Sequence, residues 1–185
     1  MSARWSDTDV DMTDHRRAPG WRRIAAWGID WLTISLYAGA LVPVGLWLNQ
    51  GSVQLSPMAW NAVSFVVLIA PVTVWLTAWE ANRGSATPGK RFLGLRVRTL
   101  DGGRLTWRRA LMRNALKIAL PWELGHTAAF LLADPGIGRS LGLIGVACGL
   151  AACALAAVYI ATLFIGQGRT PYDRAVAVGV TRCGR

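Results

Sequence analysis

The feature that most constrains the fold is a long run, residues 24–47, in which the ionisable side chains are Asp30 and the phenol of Tyr37 alone. At a rise of about 1.5 Å per residue, a helix over this run is about 36 Å long, enough to cross a hydrocarbon core of roughly 30 Å. A carboxylate about two turns inside the membrane costs roughly 2.5–3.5 kcal/mol unless it is paired or faces a polar cavity. We therefore predict a membrane helix in which Asp30 has a partner or a function.

Arg23 lies on the same face of this predicted helix as Asp30, about 10 Å away along the axis. Direct contact would require the arginine stem to fold inward, unless water or a third polar group bridges the gap. Two interpretations of Arg23 stay open. It is either an interfacial anchor that snorkels towards the headgroups or a partner that favours the charged form of Asp30.

Composition places the chain among polytopic membrane proteins. Of its 185 residues, 53% are hydrophobic and 16% are charged, and the mean hydropathy is +0.34. Residues 58–79 and 141–165 form two further uncharged runs that are long enough to span a membrane. The net charge of +10 is explained by basic cytoplasmic loops and anionic lipid headgroups, so we predict no nucleic-acid partner. The spacing of the cysteines and histidines suggests no disulfide framework, metal site or cofactor.

The distribution of basic residues predicts the orientation of the chain. Residues 83–117 contain ten Lys and Arg and residues 1–23 contain five, whereas residues 48–57 contain none. The first two helices should therefore form a hairpin whose ends are both cytoplasmic.

The segment 107–133 leaves the number of crossings open. Its first half is typical of an amphipathic interfacial helix, with Arg109, Arg113 and Lys117 on one face. If its second half crosses the membrane, 19 of the 20 basic residues lie inside; if it does not cross, 16 do. We therefore predict an all-α membrane protein with a bundle of four transmembrane helices, with three as the alternative, and both termini cytoplasmic.

The basic cytoplasmic loop opens with a glycine-rich motif made of Gly84, Thr87, Pro88, Gly89, Lys90 and Gly94. Its glycines and lysine match a phosphate-binding loop, but that loop needs Ser or Thr after the lysine, a strand before it and a helix after it. Arg91 follows the lysine here and a membrane helix precedes the motif, which argues against nucleotide hydrolysis.

The rest of the loop predicts a small hairpin. Residues 95–99 alternate apolar and basic side chains, residues 101–103 form a turn, and residues 105–107 return. We expect the arginines of this hairpin to face the lipid headgroups.

Taken in order, these motifs resemble the RDD family of small bacterial membrane proteins. The resemblance is carried by Arg23 and Asp30, by the loop from Gly84 to Val97, by Arg109-Ala110-Leu111-x-Arg113-Asn114 and by Tyr172-Asp173-Arg174-Ala175. The family is named for one arginine and two aspartates, which by motif position correspond to Arg23, Asp30 and Asp173. Tyr172 is a departure, since the family often has histidine there.

The resemblance implies a membrane domain over residues 21–181 in a bacterial plasma membrane. Residues 1–20 show no apolar periodicity, which predicts a disordered cytoplasmic tail, and residues 182–185 form a short cytoplasmic tail. Transport of ions or other ligands has been suggested for the family. One hypothesis is therefore a cation- or proton-coupled transporter in which Asp30 binds the ion and Asp173 or Glu80 forms the cytoplasmic gate.

The alternative is a non-enzymatic membrane partner or scaffold subunit in which Arg23, Asp30 and Asp173 form a structural cluster. An enzyme is disfavoured, because the sequence has no Ser-His-Asp, Cys-His or paired-histidine pattern. Both hypotheses involve the bilayer and its anionic headgroups, together with a homo-oligomer or a protein partner.

Overall fold

The computed structural model describes residues 17–50 and 55–182. Within them the elements are α1 Gly20–Gln50, α2 Pro57–Ala81, α3 Pro88–Phe92, β1 Leu95–Thr99, α4 at residues 107–132, α5 Arg139–Phe164, α6 Pro171–Ala175 and β2 Val178–Arg182. Most of the predicted N-terminal tail (residues 1–16) and the last residues of the C-terminal tail (183–185) lie outside the described residues.

Three helices are long and apolar enough to cross a membrane, namely α1 over Gly20–Leu48, α2 and α5. Their surfaces carry exposed large apolar side chains, such as Leu36, Val66 and Leu150, which a soluble protein would largely bury. The predicted fold class, an all-α membrane protein, is therefore confirmed.

Polar contacts show that α4 runs antiparallel to α2. Near the start of α2, Asn61 Nδ2 donates to Glu123 Oε1 at 2.6 Å and to Thr127 Oγ1 at 3.1 Å, both in the second half of α4. Near the end of α2, Glu80 Oε2 accepts from Asn114 Nδ2 at 3.1 Å, in the first half of α4. Helix α4 therefore extends along the bundle about as far as α2 does, and its second half packs against α5.

Pro71 interrupts the hydrogen-bond ladder of α2, and Pro121 interrupts that of α4. Each proline comes just after a short π-helical segment. A proline has no N–H, so a carbonyl about one turn earlier needs another donor in a membrane. The hydroxyl of Tyr37 donates at 2.5 Å to the carbonyl oxygen four residues before Pro71. The hydroxyl of Tyr159 donates at 2.8 Å to the carbonyl oxygen five residues before Pro121. The two tyrosines therefore tie α1 to α2 and α5 to α4.

A small antiparallel sheet covers the end of the bundle where α1 and α4 begin and α2 ends. Its strands are β1 and β2, with Val97 opposite Val180, and their apolar side chains form one core with Ala26 of α1. The predicted hairpin is therefore wrong in its second strand, because β1 pairs with β2 and not with residues 105–107. Instead, Thr106 Oγ1 accepts a hydrogen bond from the main chain three residues later and caps the start of α4.

The predicted basic face of α4 is also wrong at its centre. Arg109 is exposed as expected, but Arg113 is only 1% exposed. In a membrane bundle apolar side chains can meet lipid, and a charge can be buried where acidic partners surround it. Arg113 therefore points into the protein.

Candidate functional site

Buried ion pairs join five elements at the covered end of the bundle. We call these five residues the ion-pair network: Arg23 of α1, Glu80 of α2, Lys90 of α3, Arg113 of α4 and Asp173 of α6. Burying charge is costly unless each group finds a partner of opposite sign, and every member of this network has one.

Arg113 is the centre of the ion-pair network. Its Nη1 donates to Glu80 Oε1 at 2.6 Å and to Oε2 at 2.8 Å, and its Nε donates to Asp173 Oδ1 at 2.8 Å. The guanidinium carbon also lies 5.3 Å from the ring centroid of Tyr172. The planar fork of an arginine can reach two carboxylates in this way, whereas a lysine ammonium is a point charge. Arg113 therefore bridges α2 and α6.

Asp173 lies between two arginines. Arg23 donates from Nη2 to Asp173 Oδ2, and from Nη1 to Gly168 O at 2.5 Å. Burial alone would raise the pKa of Asp173, but the guanidinium groups of Arg113 and Arg23 outweigh it and lower this pKa to about 2. Asp173 is therefore ionised, and it holds the segment after α5 against α1 and α4.

Glu80 accepts hydrogen bonds from three side chains. Besides Arg113, Lys90 Nζ donates to Oε1, and Asn114 Nδ2 donates to Oε2 at 3.1 Å. Burial lowers the pKa of Lys90, and the negative charge of Glu80 opposes that change. Both carboxylate oxygens of Glu80 are therefore occupied by donors from the protein.

Asp30 is bound by neutral donors and not by Arg23. Its Oδ2 accepts from Thr87 Oγ1 at 2.6 Å, and its Oδ1 accepts from Gly89 N at 2.8 Å. The side chain is buried, with the residue only 2% exposed. Arg23 makes its hydrogen bonds with Gly168 and Asp173 instead. The carboxylate of Asp30 therefore fastens the start of α3 to α1.

The glycine-rich motif folds around two carboxylates, which explains its likeness to a phosphate-binding loop. A Cβ added to Gly89 would lie 2.0 Å from Ala26 O, so only glycine lets α3 approach α1 this closely. The N–H of Gly89 binds Asp30, and the ammonium of Lys90 binds Glu80. The groups that would hold a phosphate in a nucleotide-binding loop thus hold carboxylates of the protein itself.

The remaining motif residues shape the loop. Pro88 occupies the first turn of α3, where its missing N–H leaves no hydrogen bond broken. Gly94 has a φ of +65° before β1, a conformation that favours glycine. Neither close packing nor a positive φ requires glycine at position 84. The nearest neighbour of a Cβ there would be Arg91 Nε, at 3.9 Å.

A cavity of about 430 Å³ lies beside the ion-pair network, between α1, α4 and α5. Its polar end is lined by charged side chains: Arg23, Asp30, Lys90, Arg113 and Lys117. Its walls are aromatic and aliphatic and include Trp31 and Trp122, whose ring centroids are 4.9 Å apart. The cavity therefore combines a charged end with an apolar body.

A second polar group, towards the opposite end of the bundle, is one that sequence reasoning missed. Asn61, which is 4% exposed, donates to Glu123 and Thr127. Asn61 Oδ1 and Glu123 Oε2 are buried without a hydrogen-bond partner among the described residues. The sequence signal for this site is Glu123, because an acidic residue between apolar stretches of a membrane protein marks a functional position.

The predicted site residues Arg23, Asp30, Glu80 and Asp173 all lie at the covered end of the bundle. Three of them are in the ion-pair network, and Asp30 lies beside it. Together they carry three acidic groups and one basic group, an imbalance that signals further buried cations. Those cations are Lys90 and Arg113. Among residues 17–50 and 55–182, no group of three or more His, Cys, Asp and Glu could hold a metal ion.

Comparison with known proteins identifies the family. The model of the RDD family matches residues 17–176, a span that contains the whole ion-pair network, Asp30 and the glycine-rich motif. Searches of the curated proteins and of the solved structures found no match. Because the family model covers most of its length, the chain belongs to the RDD family.

Proposed function

We propose that this protein is a non-enzymatic membrane partner, a scaffold subunit in which the ion-pair network holds a folded cap on the helix bundle. The cap consists of α3, β1, α6 and β2. The observation that carries the proposal is that both oxygens of Asp30, Glu80 and Asp173 accept hydrogen bonds from the protein. A site for a transported ion needs acceptors that the protein leaves open, whereas a structural cluster needs none.

The cap offers a surface that suits a lipid or protein partner. Phe92 is 81% exposed, and Leu100, which directly follows β1, is 62% exposed. Arg91 and Arg96 are exposed in the same part of the cap's sequence, in α3 and β1. Apolar side chains beside basic ones suit an anionic membrane surface or an acidic protein surface. The cap is therefore the part through which the scaffold would act.

The proposal includes an orientation. The cap and both termini face the cytoplasm, because residues 83–117, which contain the cap's first half, hold ten basic residues. Helix α4 crosses as a fourth helix, an assignment supported by its course alongside α2. The plasma membrane of a bacterium is the location that this orientation fits.

Double-mutant cycles test whether the cluster is structural. Arg23→Gln and Asp173→Asn remove the two sides of one ion pair, so their effects on folded yield in detergent should be strongly non-additive. Arg23→Gln and Asp30→Asn change groups that share no hydrogen-bond partner, so their effects should be closer to additive than those of the contacting pair. Cation flux in proteoliposomes is measured on the same variants. Flux that is lost while folded yield is intact would contradict the structural proposal.

Cation- or proton-coupled transport is a second candidate function, and one observation favours it. Asn61 Oδ1 and Glu123 Oε2 are buried acceptors without donors among the described residues, which is the state expected of a site that takes up a proton or a cation. Under this candidate the ion-binding carboxylate is Glu123 and not Asp30, whose two oxygens are occupied.

Transport through Glu123 has its own test. Glu123→Gln should abolish flux of a monovalent cation in proteoliposomes with folded yield unchanged, because glutamine keeps the shape and can still accept from Asn61. Asp101→Asn, which neutralises an exposed acid on the loop after β1, is the matched control and should leave flux unchanged. Equal flux in wild type and Glu123→Gln would remove this candidate.

A further inference from the structure

One basic side chain that lines the cavity beside the ion-pair network has no paired acid. Four basic side chains, Arg23, Lys90, Arg113 and Lys117, meet three acidic ones, Asp30, Glu80 and Asp173. The unpaired side chain is Lys117, whose amine makes no hydrogen bond or ion pair within residues 17–50 and 55–182. Lys117 lines the cavity.

The body of the cavity is apolar and opens sideways. Its lining includes Ile24 and Trp27 of α1 and Ile160 of α5, and these three side chains are also exposed at the surface of the bundle. The opening therefore lies between two helices whose surroundings are lipid, since α1 and α5 are both apolar enough to span a membrane. A ligand from the bilayer could enter without passing through water.

We propose that this cavity binds an anionic phospholipid of the bilayer, with the phosphate on Lys117 and an acyl chain along Trp27, Trp31 and Trp122. The negatively charged phosphate supplies the partner that the amine of Lys117 lacks within the described residues. A water-soluble anion would satisfy Lys117 but leave the apolar walls uncovered. An uncharged lipid would cover the apolar walls but leave Lys117 without a partner.

The dimensions and position of the cavity support this occupant. Its volume of about 430 Å³ falls in the range of roughly 300–1,000 Å³ that is usual for ligand sites. Basic pockets between membrane helices on the cytoplasmic side are typical sites for anionic headgroups. The headgroup would lie next to the ion-pair network, so binding would link the lipid to the packing of the cap. This role goes beyond the proposed scaffold function and does not depend on it.

The test is a lipid titration of the full chain purified in detergent. Phosphatidylglycerol and phosphatidylcholine with the same acyl chains are added in parallel, and bound lipid is counted by native mass spectrometry. Phosphatidylglycerol should bind at one site per chain and more tightly than phosphatidylcholine. Lys117→Met should weaken phosphatidylglycerol binding roughly tenfold or more. It should not lower the thermal unfolding midpoint, because Lys117 makes no hydrogen bond or ion pair within the described residues and its burial unpaired is costly.

Three further variants complete the design. Lys117→Arg keeps the charge and should retain binding, and Arg109→Met, which removes an exposed cation from the same helix, should have no effect. Ala156→Phe fills the cavity from α5 without replacing a charged group, and it should abolish binding while the protein stays folded.

Other outcomes would overturn the proposal. Equal binding of the two lipids, unchanged in Lys117→Met, would show that Lys117 does not select a headgroup with net negative charge. Displacement of phosphatidylglycerol by glycerol phosphate would show a site for free anions. Displacement by an equal concentration of a fatty acid would show a site for carboxylates.

Discussion

Replacing Gly89 with alanine is expected to destabilise the protein by about 3 kcal/mol or more. A Cβ at this position would lie 2.0 Å from Ala26 O and 3.1 Å from Asp30 Oδ1. Ala26 O belongs to the main chain of α1 and cannot rotate away, so α3 would have to move. That movement breaks the hydrogen bonds that Gly89 N and Thr87 Oγ1 donate to Asp30. A buried carboxylate without donors adds its own cost to the steric one.

Thermal unfolding of the detergent-purified protein measures this effect, and we expect the midpoint to fall by about 6–12 °C. Gly84→Ala is the matched control, because it makes the same chemical change in the same loop at a position where the nearest atom to the new Cβ is 3.9 Å away. It should shift the midpoint little. Equal shifts for the two variants would mean that α3 does not pack against α1 as described.

The membrane helices could be predicted from sequence because a long uncharged run has few alternatives. In lipid the backbone N–H and C=O groups must form hydrogen bonds with one another, and a helix forms all of these bonds within one segment. The grouping of Arg23, Asp30, Glu80 and Asp173 at one end could also be predicted, since distance along a helix follows from residue number. Topology therefore places the acidic groups and Arg23 at the same end of the bundle.

The partners of those groups could not be predicted, because they come from distant segments. For Asp30 the nearest opposite charge in sequence is Arg23, but the fold supplies two neutral donors from α3 instead. For β1 the nearest apolar segment is residues 105–107, yet its partner is β2 at the other end of the chain. Sequence patterns suggest partners that are close along the chain, whereas the fold pairs these groups with partners from distant segments.

The burial of Arg113 could not be predicted for a different reason. Helical periodicity shows which side chains share a face, but not whether that face meets water, lipid or protein. With basic residues at 109, 113 and 117, the pattern suggests an outward basic face, as in a soluble or interfacial helix. Two acidic groups on other elements turn Arg113 inward. Neither acid lies within α4, so no pattern along that helix could reveal them.

Replacing Arg113 with methionine is expected to cost about 3–5 kcal/mol of stability. The change keeps much of the side-chain volume but removes the cation between Glu80 and Asp173. Glu80 would keep Lys90 and Asn114 as donors, and Asp173 would keep Arg23. The cost arises because both carboxylates lose their ion pair and hydrogen bonds with the buried guanidinium.

The loss should appear as a fall of about 6–20 °C in the thermal unfolding midpoint. In the wild type at neutral pH Asp173 is ionised, because the guanidinium groups of Arg113 and Arg23 lower its pKa to about 2. Arg109→Met, one turn earlier on the exposed face of α4, is the matched control and should change the midpoint little. The unfolding midpoint of Arg113→Lys should lie between those of Arg113→Met and Arg109→Met. An ammonium keeps the charge but cannot form the fork that reaches both carboxylates. If Arg113→Met were as stable as Arg109→Met, the ion-pair network would not hold the cap on the bundle.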